Sequence, residues 1–185
     1  MRSSKPFLIL ICATTAWLTM SQVVAIDASR AFAAERRGKS GLPLPRFVSL
    51  KSDPVNLRAG PGRKYPKSWV FRRAGLPVEV FQEFENWRRV RDSEGASGWI
   101  LSVLLSGRRT ALLMPWEAKE QKASQLVDLR RSPSGRAGAV ARLEVGSLTN
   151  IKSCDGRWCR VSIGPYNGYL EQKRLWGVYA DEIIR

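Results

Sequence analysis

Three short motifs occur twice in this chain, in the same order and at nearly constant spacing. Val55-Asn56-Leu57-Arg58 returns as Val127-Asp128-Leu129-Arg130, Asn86-Trp87-Arg88-Arg89-Val90 as Arg157-Trp158-Cys159-Arg160-Val161, and Gly98-Trp99-Ile100 as Gly168-Tyr169-Leu170, at offsets of 72, 71 and 70 residues. Collinear repeats with a slowly drifting offset mean two copies of one structural unit, of about 60 residues each. This limits the fold more than any other feature of the sequence. A unit of that size has a small core and sits near the lower limit of independent stability, so packing of one copy on the other or a covalent staple is expected to help.

Within each copy the apolar residues fall in short runs. In the first these are Phe47–Leu50, Val55–Leu57, Trp69–Phe71, Val78–Phe84, Trp87–Val90, Trp99–Leu101 and Leu112–Met114. Turn residues separate them, notably Arg58-Ala59-Gly60-Pro61-Gly62, Gly75-Leu76-Pro77 and Ser93-Glu94-Gly95. Short strands at close spacing predict a small all-β barrel or sandwich, and no stretch of helical period is long enough to compete.

The repeats begin only after a different kind of segment. Arg2 and Lys5 precede an apolar run from Phe7 to Ala25, the pattern of a secretory signal helix, with small-residue cleavage sites after Ala25 and after Ala33. Cleavage after Ala33 is preferred here, and an uncleaved anchor is the alternative. Removing residues 1–33 takes away Arg2, Lys5, Arg30 and Asp27 and leaves a net charge of +13, against +15 for the whole chain. Such a field favours polyanions, and for an exported chain these are envelope polymers rather than nucleic acid. Membrane contact is expected only through the leader, before cleavage. Residues 34–46 are polar, then rich in glycine and proline, and read as a flexible linker.

The repeated order of Val-Asn-Leu-Arg, Gly-Pro-Gly, Trp-Arg-Arg-Val and Gly-Trp-Ile resembles the bacterial SH3 domain family. The resemblance covers about residues 47–180. The second copy is similar to the variant with Cys-x-x-x-x-Cys around the middle tryptophan and a closing Leu175-Trp176-Gly177-Val178. It departs from the pattern at Ser132-Pro133-Ser134-Gly135, where the first copy has its glycine-rich loop, and at Tyr169, where the first has Trp99. The resemblance implies two tandem SH3-like barrels used as binding or targeting modules, often toward cell-wall material or peptides. The expected organisation is a signal peptide (1–33), a linker (34–46), barrel 1 (47–116), a connector (117–124), barrel 2 (125–180) and a tail (181–185).

Loss of Cys12 with the leader leaves Cys154 and Cys159, an even number in a compartment where disulfides persist. They bracket Asp155-Gly156-Arg157-Trp158 in what the repeat makes a hairpin. A two-residue turn at Gly156-Arg157 sets the cysteines opposite each other, where a disulfide fits. Trp87 and Val90, like Trp158 and Val161, are three apart and therefore on opposite strand faces. With the valines inside, the tryptophans stand outward, either as stacking platforms for a ligand or as covers for a barrel opening or for the contact between copies. Tyr65 and Trp69 lie where a ligand groove would run in the resembled fold. The candidate ligand-binding residues are accordingly Tyr65, Trp69, Trp87 and Trp158.

Catalysis is not expected. The chain has no histidine, which removes Ser-His-Asp and Cys-His nucleophile schemes. Nor does it carry a phosphate-binding glycine loop, a metal-ligand cluster or a paired-carboxylate site, so no cofactor and no metal are expected. The expected function is non-catalytic binding of peptidoglycan or another anionic envelope component in the periplasm or outside the cell. The alternative is an assembly subunit that docks on a partner protein.

Overall fold

The computed structural model describes residues 36–113 and 126–185; the leader and the stretch expected to be the connector lie outside the described residues. Among the described residues the chain is all β, with 3-10 turns at Ser102–Leu104 and Gln172–Arg174. A two-stranded hairpin comes first, formed by β1 (Arg36–Arg37) and β2 (Pro43–Leu44). Seven strands then make one sheet: β3 (Arg46–Leu50), β4 (Val55–Arg58), β5 (Lys67–Phe71), β6 (Pro77–Phe84), β7 (Trp87–Arg91), β8 (Ser97–Leu101) and β9 (Leu105–Ser106), in the order β5-β4-β8-β7-β6-β3-β9.

The second sheet repeats the first strand for strand. It contains β10 (Thr110–Leu113), β11 (Leu126–Arg130), β12 (Ala139–Glu144), β13 (Leu148–Asp155), β14 (Trp158–Ile163), β15 (Tyr166–Glu171) and β16 (Leu175–Trp176), ordered β12-β11-β15-β14-β13-β10-β16, with β17 (Ile183–Ile184) pairing outside β13. Both sheets are open paths and neither closes as a barrel. The expected closure is absent because β9 and β16, at one end of each path, have only two residues and carry no ladder to the other end.

Alternation within the strands explains the cores. Val55 and Leu57, Val78 and Val80, Val90 and Ile100 point inward and are fully buried or nearly so, with Leu50 and Phe71 completing the first core. Leu113, Val127, Leu129, Val161 and Leu170 form the equivalent set in the second, together with the half-cystines Cys154 and Cys159. Each such side chain contributes about 1.5–3 kcal/mol on burial. The repeated glycines mark a repeated close approach. A Cβ on Gly98 would lie 2.6 Å from Leu57 Cγ, and one on Gly168 would lie 2.6 Å from Leu129 Cγ.

Three boundaries differ from expectation. First, β10 pairs with β13 and β16, so residues 110–113 are the opening strand of the second sheet and not the end of the first unit. The stretch expected to link two modules is therefore an insertion within the second, between its first and second strands, and only Gly107-Arg108-Arg109 joins the sheets. Second, residues 36–46 are not a free linker. Glu83 on β6 accepts the Ser40 backbone N–H at 2.8 Å and the Ser40 hydroxyl at 2.7 Å, while Arg46 donates to it at 2.7 Å, which ties the hairpin to the first sheet. Third, the expected tail contributes β17.

The copies pack directly on each other. On β3, Val48 and Leu50 face their own core while Phe47 turns the other way, into Trp176 (ring centroids 5.2 Å apart, edge-on) and Tyr179 (4.7 Å). The Tyr179 hydroxyl donates to Glu79 at 3.1 Å, and the buried Thr110 hydroxyl donates to the Gly75 carbonyl at 2.7 Å. Burial first, and then the Glu79 charge, push the Tyr179 phenol well above its ordinary pKa and keep it a donor.

Candidate functional site

Strand β5 ends the first sheet's path, so among the described residues one of its edges has no strand partner for its N–H and C=O groups. Trp69 stands in the middle of it with 60% of its surface exposed, the largest exposed aromatic side chain among the described residues. On a strand, residues two apart share a face. Trp69 and Phe71 thus lead to Arg73, and with Leu76, Pro77 and Val78 they line one wall of a cleft of about 460 Å³. The other wall is the β7–β8 turn, Asp92 to Ala96, which Asp92 holds by accepting the backbone N–H groups of Glu94 (2.9 Å) and Ala96 (2.8 Å). Leu112 on β10 and Gly146 in the β12–β13 turn of the second copy close the end. The cleft thus offers an indole face on an apolar floor, with Arg73 and the Asp92–Glu94 carboxylates at its rim.

Tyr65 sits on the β4–β5 loop, 37% exposed. Its ring lies on Gly60, where an added Cβ would fall 2.5 Å from ring carbons, so the glycine of this loop is there to admit the tyrosine. Arg58 ties the loop down by donating to the carbonyls of Tyr65 (2.7 Å) and Arg63 (3.0 Å). Arg130 makes the matching bond to Ala137 at 2.6 Å. The arginine of the repeated Val-x-Leu-Arg motif is therefore a staple for its loop, a role sequence reasoning missed although its repetition was the available signal.

The tryptophans of the hairpin strands need correction. Trp87 does lie on the face opposite Val90, as alternation requires, but it is only 8% exposed and does not stand out as a platform. Arg89 and Arg91 on the same face are exposed while the Trp87 indole is covered, and strand parity says nothing about cover. Trp158 is half-buried in the second copy beside Pro133, Gly135, Asp155 and Glu171. Tyr65 and Trp69 thus belong to the β4–β5 region of one copy, while Trp87 is buried in that copy and Trp158 belongs to the other. The four do not form one site. The cysteines do meet. Cys154 and Cys159 are register partners across the Gly156-Arg157 turn and form a disulfide, and Gly156 adopts the positive φ of 95° that the turn requires. No group of metal-ligating residues occurs among the described residues.

The two copies are unequal at the site. Trp69 pairs with Leu57, and the residue pairing with the equivalent Leu129 is Ala141. Tyr65, whose carbonyl Arg58 binds, is matched by Ala137, bound by Arg130. The edge strand of the second copy has no aromatic at either position.

The family pattern described as Bacterial SH3 domain matches residues 51–107 and again 123–177. The chain belongs to the bacterial SH3 domain family. The two matched SH3 segments begin just before β4 and just before β11, leaving out β3 and β10, the equivalent opening strands of the two copies. Among curated proteins the chain is similar to YrvJ of Bacillus subtilis (strain 168), named as a candidate N-acetylmuramoyl-L-alanine amidase, with 23% identity over 126 residues. That match takes in 67% of this SH3 chain but only 24% of the relative's length. Among solved structures it is similar to NlpC1 of Trichomonas vaginalis (16% identity, 75% of this chain, 48% of that one, TM-score 0.31) and to NlpC2 of the same organism (15%, 71%, 48%, TM-score 0.31).

Proposed function

We propose that this is an exported, non-catalytic binding protein of the cell envelope, two SH3-like modules that hold peptidoglycan or another wall component in the cleft beside Trp69. The observation that carries this reading is the exposed indole at the centre of a strand at the end of the sheet, over an apolar floor with charged rims. An aromatic face at a wet site stacks against a sugar ring or a peptide plane, and the rim charges orient an amphipathic ligand. Membership of the bacterial SH3 family and the likeness to a candidate wall amidase support the choice of wall material. The first copy does the binding, because Ala137 and Ala141 stand where it has Tyr65 and Trp69. A second reading, docking of a partner protein, has one observation in its favour: the free edge of β5 can accept an extended strand.

Sedimentation with purified peptidoglycan sacculi separates these. The folded protein is expected to co-sediment at low and at physiological salt, and Trp69→Ala is expected to lose most of the retained fraction while Trp158→Ala keeps it. Absence of retention at both salts rejects the wall reading and leaves the protein partner.

A further inference from the structure

The Trp69 cleft leaves the strongly basic character of the chain unused. A second cleft, of about 810 Å³, lies between the β1–β2 hairpin and the outer face of β6, β7 and β8. Arg36, Arg37, Lys39 and Arg91 line it, with Glu79 and Glu83 as the only acidic lining residues. Both carboxylates are already committed. Glu79 receives Arg91 and the Tyr179 hydroxyl, while Glu83, its side chain 1% exposed, receives Ser40, Arg46 and Arg88. Arg46 and Arg88, outside the lining, neutralise Glu83, and Arg91 is matched by Glu79 at the wall, so the net positive charge of the cleft comes from the exposed hairpin residues Arg36, Arg37 and Lys39. Phe81, 36% exposed, lies beside them with the Arg89 guanidinium stacked 5.3 Å above its ring.

We propose that this hairpin cleft is a binding site for a linear oxyanion polymer, separate from the Trp69 cleft. Its cations are mostly arginines, whose planar fork matches phosphate and carboxylate oxygens in pairs. It is open and far larger than one inorganic anion needs, which suits a chain crossing it. The site exists because the hairpin is held down. Ser40 on Glu83 sets the positions of Arg36 and Lys39 opposite Arg91, so Glu83 is a positioning residue and not a ligand contact.

The test uses the folded protein and two soluble probes, polyphosphate and poly-glutamate, with binding measured between 50 and 300 mM salt. Arg36→Glu with Lys39→Glu is expected to weaken polymer binding roughly tenfold near physiological salt and to flatten the salt dependence. The same double reversal on an exposed loop of the second copy, Arg131→Glu with Arg136→Glu, is expected to change it little, and Trp69→Ala not at all. The probe bound more tightly identifies phosphate or carboxylate as the preferred charge. Equal losses from the two double reversals, or no binding of either probe at physiological salt, overturn the proposal in favour of a diffuse basic surface. Because Trp69→Ala and sacculus retention are read separately, neither result depends on the other site.

Discussion

Replacing Phe47 by alanine should uncouple the two copies without unfolding either. The ring faces away from its own core and is buried against Trp176 and Tyr179 of the other copy. Burial of an aromatic of this size contributes about 1.5–3 kcal/mol, and each of the two ring pairs adds about 0.5–1.5 kcal/mol. Phe47→Ala should therefore remove about 2.5–6 kcal/mol of coupling, a range that brackets the roughly 3–5 kcal/mol of large-to-small aromatic core substitutions. The Thr110–Gly75 and Tyr179–Glu79 hydrogen bonds also cross between the copies, each about 1 kcal/mol net, or somewhat more for the charged acceptor. Urea unfolding followed by both tryptophan fluorescence and far-ultraviolet circular dichroism reads this directly. The unaltered protein should give one transition coincident in both signals, and Phe47→Ala two resolved ones. Val48→Ala, which faces the first copy's own core, should lower the midpoint and keep the signals coincident. A Phe47→Ala protein whose transitions stay coincident would refute the assignment of coupling to this ring.

Three further outcomes follow from the geometry. Gly98→Ala places a methyl group 2.6 Å from Leu57 Cγ and 2.8 Å from the Arg58 carbonyl, and should cost about 1–3 kcal/mol; Gly107→Ala, with nothing within 4 Å, is the control and should be neutral in the same melt. Burial alone would raise the Glu83 pKa, but hydrogen bonds from Ser40 and Arg46 and the charge of Arg88 outweigh it and hold the group at about 2, below its ordinary 4.5. A depressed carboxylate stabilises above its unfolded pKa, so amide protection in the 36–46 hairpin, taken relative to the intrinsic exchange rate at each pH, should be high at neutral pH and fall as pH drops from 4.5 toward 2. The full shift corresponds to about 3 kcal/mol, and screening at this near-surface position leaves about 1 kcal/mol; Glu83→Gln should give low protection with no pH step. Replacing both Cys154 and Cys159 by serine opens a very short loop and should lower stability by about 2 kcal/mol in denaturant titration.

The motifs that made the sequence legible are those bound to fixed packing positions. Val55-Asn56-Leu57-Arg58 and its copy mark β4 and β11 because two inward residues and a loop-binding arginine are all constrained. Gly98 and Gly168 mark β8 and β15 because another strand passes too close for a side chain. The opening strands were not legible as a pair. Phe47-Val48-Ser49-Leu50 and Thr110-Ala111-Leu112-Leu113 are held by partners distant in sequence and share no pattern, and the insertion after Leu113 hid their equivalence. The hairpin was missed for a similar reason: Ser40 and Glu83 are 43 residues apart, and a polar stretch gives no local sign of a remote carboxylate. Trp69 and Tyr65 were legible as contacts and Trp87 was not, because alternation fixes the face of a side chain and not what lies over it.

Phe47 also sets an order of events during synthesis. The first sheet has all its strands once Ser106 has left the ribosome, yet the partners of Phe47 arrive only with Trp176 and Tyr179. At about 5–20 residues per second, that side chain waits several seconds without its cover on a sheet whose strands are all present. During that interval the half-made protein presents an apolar ring to chaperones and to other nascent copies, and the residues that end the exposure are made about 70 residues after the first sheet is complete.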